Sequence, residues 1–294
     1  GYDAEPVLIS RRSNGRISST SPSLNDFDHV IVRLKQGSKT TFLDVGWDYF
    51  GFGLMPANSH SGAGLLLKEG ETNIINFPPP ADLSKQYVLT SVELDDSGTL
   101  KGSFSLRSTT YFARSMRYYY ANAESDEKFA YKQIVDDFPG IVIDSVSYKI
   151  PMDDLTQDVE TTVHFQLPDF ADFSSDLVYV PTTFFEAFRT NHLVRDERNH
   201  NIEFSYKYKL QETVNLTLPE GFELFEVPDN KTIHGPGVVF RKLIRPAENN
   251  IQLQWSYQLS DILQPAANYE LLKTFFTEAV AADQAKLILK RTDD

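Results

Sequence analysis

The sequence predicts a mainly β fold of the α+β class, an antiparallel β-sandwich with a helical insert and a C-terminal helix, preceded by a smaller β subdomain. Three observations predict it. Alternating runs recur in the second half, with Ile202, Phe204, Tyr206 and Tyr208 set against Glu203, Ser205, Lys207 and Lys209. The same pattern sets Ile251, Leu253, Trp255, Tyr257 and Leu259 against Gln252, Gln254, Ser256 and Gln258. A period of two is what a strand with one buried and one wet face requires. Helical spacing is confined to the middle and the end of the chain. Phe77-Pro78-Pro79-Pro80 can neither donate to a sheet nor continue a helix, so it reads as a stiff connector separating residues 1–76 from 77–294.

In chain order, Glu5 to Ser10 reads as a strand, Ser13-Asn14-Gly15 as a turn and Ser18 to Asn25 as a polar loop. Phe27 to Leu34 and Lys39 to Asp44 are β-rich arms joined through Gln36-Gly37, where Gly supplies the positive φ of a tight turn. Residues 46–64 are rich in Gly and aromatics and read as a tightly folded loop. Gly62-Ala63-Gly64 lacks the further Gly and the helix of a phosphate loop. Tyr87 to Leu94 and Thr99 to Thr110 form a hairpin over Asp95-Asp96-Ser97-Gly98, a turn without the remaining oxygen ligands of a calcium loop. Residues 111–123, with Phe112, Met116 and Tyr119 on one face, begin the insert. A second helix over 126–138, capped by Ser125 and stopped by Pro139-Gly140, completes it. Strands follow at Ile141–Ile150, Val159–Leu167, Leu177–Val180, Val214–Leu218 and Val238–Ile244, besides the two alternating runs. Tyr269, Leu272, Phe276 and Ala279 mark a helix over about 266–283 that is expected to cap the open end of the sandwich. Lys286–Lys290 closes as a strand.

Lys and Arg total 28 against 41 Asp and Glu, a formal charge of −13. That balance argues against nucleic acid and against an anionic membrane surface, both of which need a basic patch. No apolar stretch approaches the roughly 20 residues of a spanning helix, so no membrane insertion is expected, and no signal peptide is read. His192 and His200 flank a charged loop without zinc spacing, and Asp169, Asp172 and Asp176 read as a solvated acidic loop. No metal and no cofactor is expected. Asn215-Leu216-Thr217 and Asn230-Lys231-Thr232 match glycosylation acceptors only at the triplet level.

Chemistry concentrates at the first hairpin. With Gln36-Gly37 as the turn, His29 and Asp44 stand opposite each other on one face, where a carboxylate holds one imidazole nitrogen and leaves the other free. The chain has no cysteine and no Gly-x-Ser-x-Gly elbow. From the residues alone the pair is either a polar cross-strand contact or half of a catalytic triad.

Gly1-Tyr2-Asp3-Ala4-Glu5-Pro6-Val7-Leu8-Ile9-Ser10, Asp26-Phe27-Asp28-His29-Val30-Ile31-Val32, Phe42-Leu43-Asp44 and Phe52-Gly53-Leu54-Met55-Pro56 together resemble the second half of a transglutaminase-like core. The similarity is to multidomain bacterial proteins of the Bacteroidetes type, in which that core sits between β-rich domains of uncharacterised function. The resemblance implies a nucleophilic Cys on a helix just before the segment matching Gly1-Tyr2, then a strand His and a strand Asp, and His29 and Asp44 fall on those positions. It implies that residues 1–76 are the C-terminal half of the core, and that the fragment, lacking the Cys, is inactive. Val45-Gly46-Trp47 departs from the small polar residue that more often follows the Asp.

Two functions are therefore expected. The parent protein, as the resemblance implies, acts on amide bonds of a protein or peptide through a Cys-His-Asp triad, in the periplasm or outside the cell. The 294 residues themselves read chiefly as a non-catalytic β-sandwich that docks a partner protein or a cell-envelope glycan.

Overall fold

The computed structural model describes the chain apart from residues 1–2, 16, 18–22, 78–82, 126–128, 130–137, 139, 185–189, 248 and 293–294. Pro78 to Pro80, most of the second predicted helix and most of the Ser18–Asn25 loop lie outside the described residues.

β1 (Asp3–Ile9), β2 (His29–Gln36), β3 (Lys39–Leu43), β4 (Ala63–Lys68) and β5 (Glu71–Asn76) form an antiparallel sheet in the order β3-β2-β1-β4-β5. Val7, Ile9, Ile31 and Leu66 pack together with Met55 from the following loop and with Phe77. The β4–β5 hairpin is an addition: the expected loop ends at Gly64, and no element is expected between it and Phe77. A Cβ on Gly64 would lie 2.6 Å from Val7 Cγ1 and 2.8 Å from the Leu8 carbonyl oxygen, so this Gly serves the close approach of β4 to β1.

The chain continues through β6 (Ser84–Leu94), β7 (Leu100–Ser108), α1 (Thr110–Ala121), β8 (Val142–Lys149), β9 (Val159–Leu167), β10 (Asp172–Ser174) and β11 (Leu177–Pro181). Next come β12 (Ile202–Glu203), β13 (Tyr208–Thr217), β14 (Phe222–Glu226), β15 (Lys231–Gly235), β16 (Val238–Pro246), β17 (Asn250–Leu259) and β18 (Leu263–Gln264). The chain ends with α2 (Tyr269–Asp283) and β19 (Lys286–Arg291). Eight of these strands form a sheet in the order β15-β16-β17-β13-β6-β7-β9-β8, and β10-β11-β19-β14 form a second. Leu94, Leu100, Phe104, Val163, Leu216 and Leu253 of the first sheet share one core with Val178, Val180, Leu287 and Leu289 of the second, which makes the expected sandwich.

Four expectations are corrected. The strand over 202–209 breaks: Ile202-Glu203 pair with Leu263-Gln264, and a continuous β13 begins only at Tyr208. The carbonyls of Phe204 and Ser205 turn away at the break to accept hydrogen bonds from Arg12. The eight-stranded sheet is not wholly antiparallel, because β13 runs parallel to β6, with Tyr208 opposite Ser84. α1 buries Tyr111, Ala113, Met116 and Arg117, which leaves Tyr119 43% exposed instead of on the core face. The Arg117 guanidinium donates to the carbonyls of Pro151, Leu155 and Gln157, so the helix is turned to organise that loop. Finally, α2 packs Leu272, Phe275 and Ala279 on Ile233, Phe240, Trp255 and Tyr257, and so covers a face of the sheet beside β15 and β16 instead of capping an open end.

Candidate functional site

The first hairpin turns at Gly37-Ser38 and not at Gln36-Gly37. Gln36 pairs with Lys39, and Gly37 takes φ +61° at the first turn position, where a two-residue turn of this hand favours Gly. Extending the register from Val32 opposite Leu43 sets Asp44 against Ile31 and not against His29. Moving the turn by one residue shifts each partner by two, and an even shift preserves the face. His29 and Asp44 are therefore diagonal neighbours on the face that carries Ile31, a spacing that their side chains span.

His29 Nε2 lies 2.9 Å from Asp44 Oδ2. The Ser59 hydroxyl donates to the same oxygen at 2.7 Å, and the Gly46 N–H donates to Oδ1 at 3.2 Å. Three donors converging on one buried carboxylate is the pattern of an ionised, acceptor-only group, which places the imidazole proton on Nε2 and the lone pair on Nδ1. The Asp44 side chain is 1% exposed and that of His29 is 22% exposed. Nδ1 has no hydrogen-bond partner among the described residues, so the ring presents its basic nitrogen outward.

Local sequence explains each placement. Asp44 follows the last residue of β3, and the chain turns under it through Gly46, where a Cβ would lie 3.5 Å from Asp44 Oδ1 and 3.9 Å from His29 Cε1. Ser59 ends a short 3₁₀ turn, Ala57–Ser59, that follows Pro56. Arg12 fastens this turn by donating to the His60 carbonyl at 3.0 Å. Asp28, next to His29, is held below the usual carboxylate range first by the Arg11 backbone N–H and then by the Arg11 guanidinium, and the neighbouring imidazole contributes in the same direction. Val45, at the position of the departure noted above, is 85% exposed and stands clear of the pair.

Residues 176–289 match the family model DUF3858, described as a domain of unknown function with a solved structure. The DUF3858 match runs from the residue before β11 into β19 and leaves His29 and Asp44 outside it. A crystal structure of a "putative protease" from Parabacteroides distasonis is similar at a TM-score of 0.48 and 12% identity, covering 99% of this chain and 40% of that one. The chain thus spans 40% of that structure's length. Comparison with curated proteins gives no match.

The other candidates have structural explanations. Asp95 accepts from the Ser97 and Thr99 N–H groups and from Lys101, and its carboxyl is pulled down to about 2, first by the Ser97 hydroxyl, as befits a turn. Asp172 pairs with Lys286. Asn230 spends its side-chain oxygen on the Ile244 N–H. No group of three or more His, Asp or Glu that could hold a metal occurs among the described residues, and no helix among them is long and apolar enough to cross a membrane. Sequence reasoning did not single out Ser59 or Arg12. Pro56-Ala57-Asn58-Ser59 carries turn composition, but nothing local says beneath which strand the turn folds.

Proposed function

We propose that His29 and Asp44 are the proton-carrying half of a thiol-dependent site that acts on peptide amide bonds, with the thiol supplied by a residue outside these 294. The observation that supports it is the 2.9 Å bond from Nε2 to a buried, triply donated carboxylate, which leaves Nδ1 unengaged on a partly exposed ring. The resemblance to a transglutaminase-like core gives the pair its chemical role. Nδ1 takes the thiol proton, the thiolate sulfur attacks the amide carbonyl carbon, and the C–N bond breaks as the imidazolium returns the proton to the leaving amine. Water or a second amine then resolves the thioester through the same imidazole. Asp44 holds the ring and stabilises the imidazolium; it does not itself take up the proton.

The test is peptide-amide turnover by the longest natural polypeptide that carries this sequence. His29→Ala is expected to lower kcat by about 10²-fold or more, and unchanged turnover would exclude the role. The 294-residue chain alone is expected to be inactive.

A second reading, docking of a protein or glycan partner, is favoured by a cleft of about 430 Å³ lined by Phe112, Phe204, Ser205, Tyr206, Tyr208 and Leu210. Arg12 joins the floor of this cleft to the turn beneath Asp44.

A further inference from the structure

We propose that Ser59 is the positioning residue of the pair: its hydroxyl fixes Asp44 Oδ2 in the direction of His29, so that the imidazole is locked with Nε2 inward and Nδ1 outward. The inference rests on the reading of His29 as a proton carrier and adds to it the group that sets its orientation.

Ser59 is fully buried, and its hydroxyl proton goes to Asp44 Oδ2 at 2.7 Å. Because Gly46 holds Oδ1 while Ser59 and His29 hold Oδ2, rotation of the carboxylate about its Cβ–Cγ bond strains all three hydrogen bonds together. Without the Ser59 hydroxyl, the Gly46 N–H is the single tether that fixes the carboxylate independently of the imidazole.

Ser59 is itself held firmly. Its own N–H donates to the Pro56 carbonyl at 2.9 Å, and the following residue's carbonyl is gripped by Arg12. Arg12 also donates to the Phe204 and Ser205 carbonyls, at 3.1 and 2.9 Å, so the turn that delivers the hydroxyl is anchored to the segment between β12 and β13. The charged groups facing the imidazole are Asp44 on its Nε2 side and the Asp28–Arg11 pair beside it. Neither Asp28 nor Arg11 touches Nε2. Ser59 therefore controls His29 only through Asp44.

The measurement is solvent exchange of the His29 Nε2 proton in the ¹⁵N-histidine-labelled 294-residue chain, with the amides of β2 and β3 as internal controls. Ser59→Ala is expected to speed that exchange at least tenfold while the control amides change less than twofold. In an Asp44→Ala background, which leaves the Ser59 hydroxyl no side-chain oxygen at position 44 to donate to, Ser59→Ala is expected to add nothing. Unchanged Nε2 exchange in Ser59→Ala overturns the proposal. So does an equal acceleration in both backgrounds, or one shared by the control amides, which marks general loosening. This readout needs no turnover, so its failure leaves the amide-bond reading untouched, and an inactive parent polypeptide leaves the positioning role untouched.

Discussion

At the residue scale, the side chain that organises the site is Asp44. It is buried with three donors aimed at it, so removing it strands the Ser59 hydroxyl and the Gly46 N–H together. Asp44→Ala is expected to cost about 2 kcal/mol of folding stability. His29→Ala leaves Asp44 two donors and is expected to cost about half as much, which urea midpoints on the two variants resolve. The pairing of His29 with Asp44 was legible because face parity survives the misplaced turn, which displaced the register by an even number of residues. Ser59 was not legible, because a hydroxyl brought in by a turn some fifteen residues beyond Asp44 leaves no periodic signature.

Element by element, β16, β17 and β19 lie within a residue or two of their predicted bounds, whereas the alternation over 202–209 did not carry one strand. Two kinds of element were hidden. β4 and β5 are short and carry Leu65, Leu66 and Leu67 in succession, so no period shows. The face of α1 differs from the expected one because a charged side chain, Arg117, is buried there. Lys242 of β16 is another buried cation. Only 2% exposed, it donates to the carbonyls of Ala282 and Asp283, which caps the C-terminal end of α2 with a positive charge. Burial lowers its ammonium to about 8, against the opposing pull of the Asp283 and Glu212 carboxylates. The unfolded chain therefore binds more protons than the folded one between pH 8 and the ordinary lysine value, and stability from this residue rises with pH across that window by at most about 3 kcal/mol. Lys242→Met is expected to flatten the rise in urea midpoint between pH 8 and 10. Above pH 10 the slope reverses, since burial lifts the Tyr206 hydroxyl to about 12 and raises those of Tyr111 and Tyr257 as well, so their ionisation favours the unfolded chain.

For the whole molecule, the sheet that carries His29 does not stand apart from the sandwich. Arg12 reaches across to Phe204, Ser205 and Glu203, and the Tyr111 hydroxyl of α1 donates to the Met55 carbonyl at 2.7 Å. Tyr111 also stacks on Tyr206 with ring centroids 4.2 Å apart. The loop between Asp44 and β4, which carries Ser59, is thus tied to the sandwich through Arg12 and Tyr111. Long-range pairings of this kind, together with the parallel contact of β6 with β13, were invisible in the sequence because the partners are distant in the chain and no local pattern encodes which strands will be neighbours. The proposed pairing of His29 with a thiol is open to one direct test, the rate of iodoacetamide alkylation against pH in the longest natural polypeptide containing this sequence. An isolated thiol loses thiolate by a factor on the order of 100 between pH 8 and pH 6. The native protein's reactive cysteine is expected to slow by less than tenfold over that range, and His29→Ala to restore the full fall; superimposable profiles, or the absence of any reactive cysteine, would refute the pairing.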